Sequence, residues 1–306
     1  MTFAGIIPPL CTPFDDDYAV DTSSLRRVID FQIDAGVHGL FVLGSSSEAA
    51  FLPDEQRRIT METAVEQVAG RVPILAGCID MTTLRVAEHV RAAEAAGVDA
   101  VVITAPYYTR THIAEIEHHF RLLHELTELP IFAYDIPVAV HSKLNGEMVL
   151  RLAADGVLRG LKDSSGDEAG FRYVLLGRRD RALDGFAIFT GSEIVVDSAL
   201  VMGADGAVPG LGNVDPAGYV AIYDYVRAGD LRAAQLEQER LMRLFTIVAV
   251  ASPHRVGAGS AGLGSFKAGM KMRGLIENAL MAPPQLPLTE EELLQIKNKL
   301  VEAGLL

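Results

Sequence analysis

The chain has 306 residues, 49% of them hydrophobic, and a formal net charge of −13. This length suits a single large barrel domain, and the acidic balance argues against nucleic acids and anionic membranes as partners, because both select basic surfaces. No apolar run approaches the ~20 residues that cross a bilayer, and the longest candidate, Leu241–Ala251, contains Arg243.

The first residues and the cysteines bear on cellular location. Met1–Gly5 carries no basic region ahead of its apolar stretch, and Asp15–Asp17 follow soon after, a pattern that argues against a secretory signal. Cys11 and Cys78 form neither a CxxC pair nor a zinc-binding spacing. Because unpaired cysteines persist in reducing compartments, we expect a cytoplasmic protein.

Strand-like runs recur along the chain, and most are continuously apolar, as in strands buried on both faces of a parallel sheet. Amphipathic helical patterns separate them. The first helix is predicted from the capping cluster Asp21–Ser24 to Ala35–Gly36, and the second from Pro53 to Gly70. The predicted strands are Ile6–Leu10, Gly39–Leu43, Pro73–Ala76, Ala100–Thr104, Ile131–Tyr134, Val157–Leu161, Phe186–Thr190 and Gly206–Val208.

The repeated strand–helix unit predicts an α/β fold, a (β/α)8 TIM barrel. Ala35–Gly39, a helix end followed by a new strand, is echoed by Ala96–Ala100 and more loosely by Gly203–Ala207. A doubly wound open sheet is the alternative, although it usually has fewer units. From Asp230 to Asn298 the pattern is helical. We therefore expect a barrel over residues 1–229 and a C-terminal helical extension over residues 230–306, within one structural unit.

Three predicted strand ends carry candidate chemistry, because barrel enzymes react at the carboxyl ends of their strands. Gly44–Glu48 offers successive hydroxyls and backbone N–H groups, a cradle suited to a carboxylate. The alternative interpretation of this segment is a turn that caps the next helix. The fifth strand ends in Tyr134–Pro137 and the sixth in Lys162. A neutral lysine can attack a carbonyl carbon, whereas the alternative is a lysine that extends its ammonium into water.

These segments resemble the dihydrodipicolinate synthase / N-acetylneuraminate lyase family over nearly the whole chain. Gly39–Ala49 is similar to the first signature of that family, and Tyr134–Pro137, Leu144 and Leu158–Ser164 together are similar to its second. Three shorter segments resemble its opening strand, its Pro-Tyr-Tyr loop and its eighth strand: Gly5–Phe14, Ala105–Tyr108 and Gly206–Gly210. The resemblance implies a TIM barrel with a pyruvate-dependent class I aldolase or lyase activity.

Two positions depart from the family pattern. Ser47 stands where the family usually has glycine. Ala139 stands where the synthases that make dihydrodipicolinate have an arginine, which holds the carboxylate of the aldehyde substrate. Without a guanidinium there, bidentate recognition of that carboxylate is lost. This weakens the synthase interpretation, although Arg110 on another loop remains a candidate replacement.

The resemblance also implies roles for single residues. Lys162 is expected to form a covalent imine with pyruvate, without a metal or other cofactor, while Ser45 and Ser46 bind the carboxylate. Tyr134 is expected to carry protons in a relay with Ser45 and Tyr108. By resemblance, Tyr108 reaches into the neighbouring subunit's site, which implies a homo-oligomer of at least two chains, and family analogy favours a tetramer built as a dimer of dimers.

Residues near the seventh and eighth strands are the candidates for binding the second substrate. Ser192 and Glu193 follow the seventh strand, where sialic-acid lyases of the family bind sugar hydroxyls, and Val208 on the eighth strand is the remaining substrate-binding candidate. With Ala139 in place of arginine, we expect pyruvate and an aldehyde as partners, joined in a 2-keto-3-deoxy sugar acid. The alternatives are dihydrodipicolinate synthase, a sugar-acid dehydratase, and a non-catalytic barrel that binds an oxo acid.

Other motifs carry less weight. Gly257–Gly262 fits GxGxxG but lies in the helical C-terminal third, outside a strand–turn–helix unit, so a dinucleotide site is not expected. His118, His119 and His124 share a predicted helix without an i, i+4 pair, which favours a solvated face over a metal site. The serines of the Gly44–Glu48 segment lack the GxSxG elbow of serine hydrolases.

Overall fold

A computed structural model describes residues 3–306. Eight parallel strands form one sheet in the order β1-β8-β7-β6-β5-β4-β3-β2. A bridge between Pro9 and Phe41 joins its two ends, and the Leu10 N–H donates to the Phe41 carbonyl at 2.8 Å. The strands are β1 (Gly5–Ile6), β2 (Leu40–Val42), β3 (Ile74–Gly77), β4 (Ala100–Thr104), β5 (Ile131–Asp135), β6 (Gly160–Asp163), β7 (Ala187–Thr190) and β8 (Gly206–Ala207). The predicted (β/α)8 barrel is confirmed, and the open-sheet alternative is wrong.

Helices surround the barrel and continue after it. The first begins where the sequence predicts, because the Asp21 side chain accepts a hydrogen bond from the Ser24 N–H at 3.0 Å. None of the helices within residues 3–306 has the length and apolar character needed to cross a membrane. The helices are α1 (Thr22–Asp34), α2 (Asp54–Val68), α3 (Thr83–Ala96), α4 (Ile113–His124), α5 (Pro137–Val140), α6 (Gly146–Ala154), α7 (Glu168–Asp180), α8 (Val196–Val201), α9 (Pro216–Ala228), α10 (Leu231–Phe245), α11 (Ala258–Met272) and α12 (Glu290–Glu302).

Two sequence predictions need correction. The sixth strand begins at Gly160 rather than Val157, because the N–H groups of Val157 and Leu158 both bond to the Leu152 carbonyl and finish α6. Because β6 continues to Asp163, Lys162 lies inside this strand. The C-terminal segment is also not helical throughout, since residues 273–289 contain no helix. Three prolines there, Pro283, Pro284 and Pro287, lack the N–H that a helix interior needs.

The strand register places four side chains in one layer facing the barrel interior. Thr104 of β4 is paired with Tyr134 of β5, Tyr134 with Lys162 of β6, and Lys162 with Phe189 of β7. Residues paired in a parallel sheet share a face, so these side chains point the same way. Phe132, paired with Gly160, lies one layer lower, and its ring centroid is 6.1 Å from that of Phe189 above it. The hydrophobic core thus lies beneath the side chains of Thr104, Tyr134 and Lys162, near the carboxyl ends of the strands.

Candidate active site

The Lys162 side chain lies among aromatic rings. The residue is 6% exposed, and its Nζ atom lies 4.1 Å from the centroid of the Tyr134 ring and 5.0 Å from that of Phe41. Within residues 3–306 the Nζ atom has no ion-pair partner, in contrast to Lys143 and Lys267, which are both paired. An amine that no carboxylate holds remains available to an electrophile at the barrel mouth.

Tyr134 and Ser45 meet above this lysine. Their hydroxyl oxygens are 3.4 Å apart, at the long end of hydrogen-bond distance. Tyr134 packs edge-to-face against Phe41, with ring centroids 6.4 Å apart, and this contact fixes the direction of its hydroxyl. The fold therefore brings together Lys162, Tyr134 and Ser45, which the sequence places on three different strand ends.

The serine turn after β2 is anchored from below. Leu43 and Glu48, which bracket it, both have positive φ values, 56° and 59°. Ser45 is exposed and lines the cavity described below, whereas Ser46 is half-buried and does not line it. Ser47 is buried: its hydroxyl donates to the Leu10 carbonyl, and its own carbonyl accepts from the Thr12 hydroxyl at 2.9 Å. The serine that replaces the family glycine thus ties the turn to the loop after β1.

A buried ion pair fixes the end of the same turn. Lys267 on α11 places Nζ 2.5 Å from Glu48 Oε1, and both side chains are fully buried. Lys267 also donates to the Leu280 carbonyl at 2.6 Å, and burial lowers the pKa of its ammonium against the opposing pull of Glu48. Sequence reasoning missed this pair. The one local signal was a lysine within an apolar stretch of the last third of the chain.

A cavity of about 360 Å³ lies beside Ser45. Thr104 and Tyr107 from the β4 side line it, together with Ala139 and the start of α11. The arginine position of the synthases therefore opens directly onto this cavity. Arg110, the candidate replacement, is exposed and does not line it. Among the described residues, no lysine, arginine or histidine side chain contributes to its wall.

Ser192 and Glu193 line a different cavity, of about 400 Å³, after β6 and β7. The Glu193 carboxylate accepts a hydrogen bond from the Gly210 N–H at 3.0 Å. Burial raises the pKa of Glu193, while that N–H and the nearby charge of Lys162 lower it. Val208 is buried just beyond β8. The structure thus places Glu193 within electrostatic reach of Lys162 but does not bring Ser192 and Glu193 into the cavity beside Ser45.

Tyr108 lies outside both cavities. It is 89% exposed and has a φ of 73°, a left-handed conformation that is uncommon for tyrosine. Within the chain it does not approach Ser45 or Tyr134. The side chain instead extends from the loop after β4 into open space.

The structure also shows where the histidines of α4 and the GxGxxG segment lie. His118 and His124 are exposed, but His119 is buried and its Nδ1 lies 2.9 Å from the Thr83 hydroxyl, so the solvated-face prediction is wrong for His119. Within residues 3–306, no three His, Cys, Asp or Glu side chains are placed to hold a metal ion. Gly257–Gly262 forms the start of α11 and follows a turn rather than a strand. Three residues of this GxGxxG pattern, Gly257, Gly259 and Ser260, line the cavity beside Ser45.

Comparisons with known proteins bear on the family of this chain. The profile of the Dihydrodipicolinate synthetase family matches residues 2–303. YjhH from Escherichia coli K12, a probable 2-dehydro-3-deoxy-D-pentonate aldolase, is 30% identical over 305 residues, covering 99% of this chain and 98% of the relative. A 4-hydroxy-tetrahydrodipicolinate synthase from Methanoculleus marisnigri is 34% identical over 250 residues, covering 80% of this chain and 84% of the relative.

A solved structure is similar over its full length. YagE from E. coli K12, a prophage protein of the dihydrodipicolinic acid synthase family in complex with pyruvate, matches with a TM-score of 0.92 at 28% identity and covers 100% of both chains. Family members are class I aldolases and lyases that act on carbon–carbon bonds with pyruvate. This chain therefore belongs to the dihydrodipicolinate synthetase family and is a pyruvate-dependent aldolase or lyase.

Proposed function

We propose that this enzyme forms an imine between Lys162 and the C2 carbonyl of a 2-keto-3-deoxy sugar acid, then cleaves or forms the C3–C4 bond. The amine adds to C2 and a water molecule leaves. The protonated imine accepts the electron pair of the C3–C4 bond, the C4 hydroxyl loses its proton, and an aldehyde departs. The enamine then takes a proton at C3, and water releases pyruvate from Lys162.

The observation that carries this proposal is the environment of Lys162. Its amine is buried, has no ion-pair partner among residues 3–306, and lies 4.1 Å from the ring centroid of Tyr134. A structural lysine at this depth would be expected to have a carboxylate partner, as Lys267 has in Glu48. The same layer supplies a hydroxyl pair, Tyr134 and Ser45, for moving protons.

The substrate carboxylate is assigned to the turn at Ser45 and Ser46. This turn offers hydroxyls and backbone N–H groups, and its inner residue Ser47 is hydrogen-bonded to the loop after β1. Neutral donors of this kind bind an anion without a cationic side chain. That suits a chain of formal net charge −13.

Tyr108 is assigned to the site of a neighbouring subunit. Its side chain is almost fully exposed on a strained backbone, which is a costly arrangement for an isolated tyrosine. A relay from Tyr134 through Ser45 to Tyr108 of the neighbour would exchange protons between the imine and solvent. This assignment makes the active enzyme a homo-oligomer, and we propose a tetramer built as a dimer of dimers.

Ala139 favours a sugar acid over the synthase substrate. Without arginine at this position, the cavity beside Ser45 has no guanidinium for the carboxylate of an amino-acid semialdehyde. The E. coli relative named as a probable 2-dehydro-3-deoxy-D-pentonate aldolase matches 99% of this chain. Because the M. marisnigri relative is named as a 4-hydroxy-tetrahydrodipicolinate synthase, that synthesis is the second candidate function. Ser192 and Glu193, whose carboxylate accepts a hydrogen bond from the Gly210 N–H, are assigned to substrate hydroxyls. Val208 is assigned to substrate binding without a role toward hydroxyls.

Borohydride trapping tests the imine. Pyruvate plus borohydride should add one three-carbon unit to Lys162, measured by intact mass and located by peptide mapping. Lys162→Met should give no adduct, whereas Lys271→Met, which changes an exposed lysine, should give the full adduct. Absence of the adduct in a folded wild-type protein would overturn the proposal. Two assays then separate the candidate reactions. An aldolase of sugar acids should release pyruvate from 2-keto-3-deoxy acids, whereas a 4-hydroxy-tetrahydrodipicolinate synthase should consume pyruvate in the presence of aspartate semialdehyde.

A further inference from the structure

The serine turn after β2 ends in a buried carboxylate with three partners outside the turn. The side chain of Glu48 is fully inaccessible, and its Oε1 atom lies 2.5 Å from Lys267 Nζ. Its Oε2 atom accepts hydrogen bonds from the Ala282 N–H and from the Gln285 side chain, each at 2.6 Å. One carboxylate therefore joins the turn to α11 and to the segment that follows α11.

Lys267 extends this connection to two more places. Its ammonium donates to the Leu280 carbonyl at 2.6 Å, and its Nζ atom lies 4.0 Å from the centroid of the Phe14 ring, in the loop after β1. The ion pair thus contacts the serine turn, the loop after β1, α11 and residues 280–285. These four segments are far apart in the sequence, and the pair fixes them relative to one another.

Stability alone is a weak reason for a charged pair at this depth. Two charges lose their hydration when they are buried, and apolar residues of similar volume often give equal or greater stability. The interaction between buried charges depends strongly on distance and direction, so such a pair can define one arrangement of the segments that it joins. The arrangement defined by Glu48 and Lys267 is that of the serine turn.

The position of Ser45 is sensitive to this arrangement. Ser45 lies three residues before Glu48, and the Glu48 N–H donates to the Ser45 carbonyl at 3.0 Å. The Ser45 hydroxyl is 3.4 Å from the Tyr134 hydroxyl, at the long end of hydrogen-bond distance. An outward shift of the turn by about half an ångström would break this contact.

The pair also joins two walls of the cavity beside Ser45. Ser45, Glu48 and Gln285 all line this cavity, and Gln285 belongs to the segment after α11. The hydrogen bond from Gln285 to Glu48 therefore connects the serine turn with the facing segment. A turn that moved away from α11 would change the shape of the cavity as well as the position of Ser45.

We propose that Glu48 and Lys267 are positioning residues: their ion pair holds the serine turn where Ser45 bonds to Tyr134 and where the turn binds the substrate carboxylate. This inference rests on the proposed function, in which Ser45 and Tyr134 move protons for the imine at Lys162. Lys267 does not line the cavity and the Glu48 side chain is inaccessible, so the pair acts through the turn.

The test uses a neutral-pair variant, Lys267→Met/Glu48→Gln, in which the glutamine amide can still accept from the Ala282 N–H. Exchange of the pyruvate methyl protons with D2O, followed by NMR, measures enamine formation. The exchange rate at saturating pyruvate should fall about 10- to 100-fold, and the KM for pyruvate should rise, because a small displacement of a positioned group costs this much. Rates are expressed per site that borohydride traps with pyruvate, so that unfolded protein does not count.

Two controls separate positioning from stability. Lys271→Met, at an exposed position of α11, should keep the wild-type rate and KM. Arg178→Met removes the ion pair with Asp205, which precedes β8 at the amino ends of the strands. This variant should lose stability but keep both constants per trapped site. A neutral-pair variant that behaves like Arg178→Met would overturn the proposal.

A double-mutant cycle tests whether the pair acts through Ser45. Ser45→Ala should slow the exchange in the wild-type protein. It should slow it less in the neutral-pair variant, where the contact with Tyr134 is already lost, because residues that act on one contact are not additive. Equal factors in the two backgrounds would show that the pair does not act through Ser45 and would overturn the proposal.

Pyruvate binding by calorimetry keeps this inference separate from the imine chemistry. In a Lys162→Met background no imine can form, and the neutral-pair substitutions should still weaken pyruvate binding by the displaced turn. Weaker binding there, together with no borohydride adduct in the wild-type protein, would sink the imine and leave the positioning role standing. A wild-type adduct, with an exchange rate and KM unchanged in the neutral-pair variant, would do the reverse.

Discussion

The buried pair Glu48–Lys267 allows a prediction with a defined magnitude. Both side chains are fully buried, with Lys267 Nζ 2.5 Å from Glu48 Oε1. Lys267→Met would leave the Glu48 carboxylate with two N–H donors, from Ala282 and from the Gln285 side chain, each at 2.6 Å, and without a counter-charge. Removal of one partner from a buried pair costs about 3–5 kcal/mol. For a chain of 306 residues, that lowers the thermal midpoint by roughly 5–8 °C.

The double variant Lys267→Met/Glu48→Gln separates the charge from the packing. It leaves no buried charge, and the amide oxygen of glutamine can still accept from the Ala282 N–H. We expect it to recover at least about half of the lost stability, because most of the loss comes from the unpaired carboxylate.

Thermal unfolding followed by circular dichroism gives the midpoints of wild type, single and double variants. Lys271→Met, at an exposed position of the same helix, is the matched control and should stay within about 1 °C of wild type. A double variant as unstable as Lys267→Met, or less stable, would refute the electrostatic reasoning and assign the effect to lost packing.

Two further predictions concern charge. Burial lowers the pKa of His119 to about 4, so its contribution to the free energy of unfolding is full above pH 6.5. That free energy should fall by up to about 3 kcal/mol as the pH drops from 6.5 to 4. His119→Gln should flatten this part of a plot of unfolding free energy against pH, and parallel plots for wild type and variant would contradict the prediction. Lys143 contacts Asp135 and lies 4.0 Å from Asp163, and burial already raises the pKa of Asp135. Since Lys143 is partly exposed, Lys143→Met should cost about 1–3 kcal/mol in denaturant unfolding. Lys143→Met/Asp135→Asn should restore much of it, and a double variant no better than the single would count against the charge explanation.

Local patterns in the sequence determined the barrel and its principal candidate residues. Continuous apolar runs separated by amphipathic helices have a physical cause that acts within each segment, the burial of both faces of a strand. Tyr134 and Lys162 lie within β5 and β6, near the carboxyl ends of these strands, and the serine turn follows β2. Short stretches of sequence therefore predict the lysine, the tyrosine and the serine turn as candidate residues.

Contacts between distant segments were decided only in the tertiary structure. The pairing of Glu48 with Lys267, the burial of His119, and the position of the start of α11 in the cavity wall each depend on which surfaces of packed helices meet. No periodicity within a single segment encodes that choice. The start of β6 differs from the prediction for a local reason: the Leu152 carbonyl at the end of α6 accepts from the N–H groups of Val157 and Leu158, which a strand would have used.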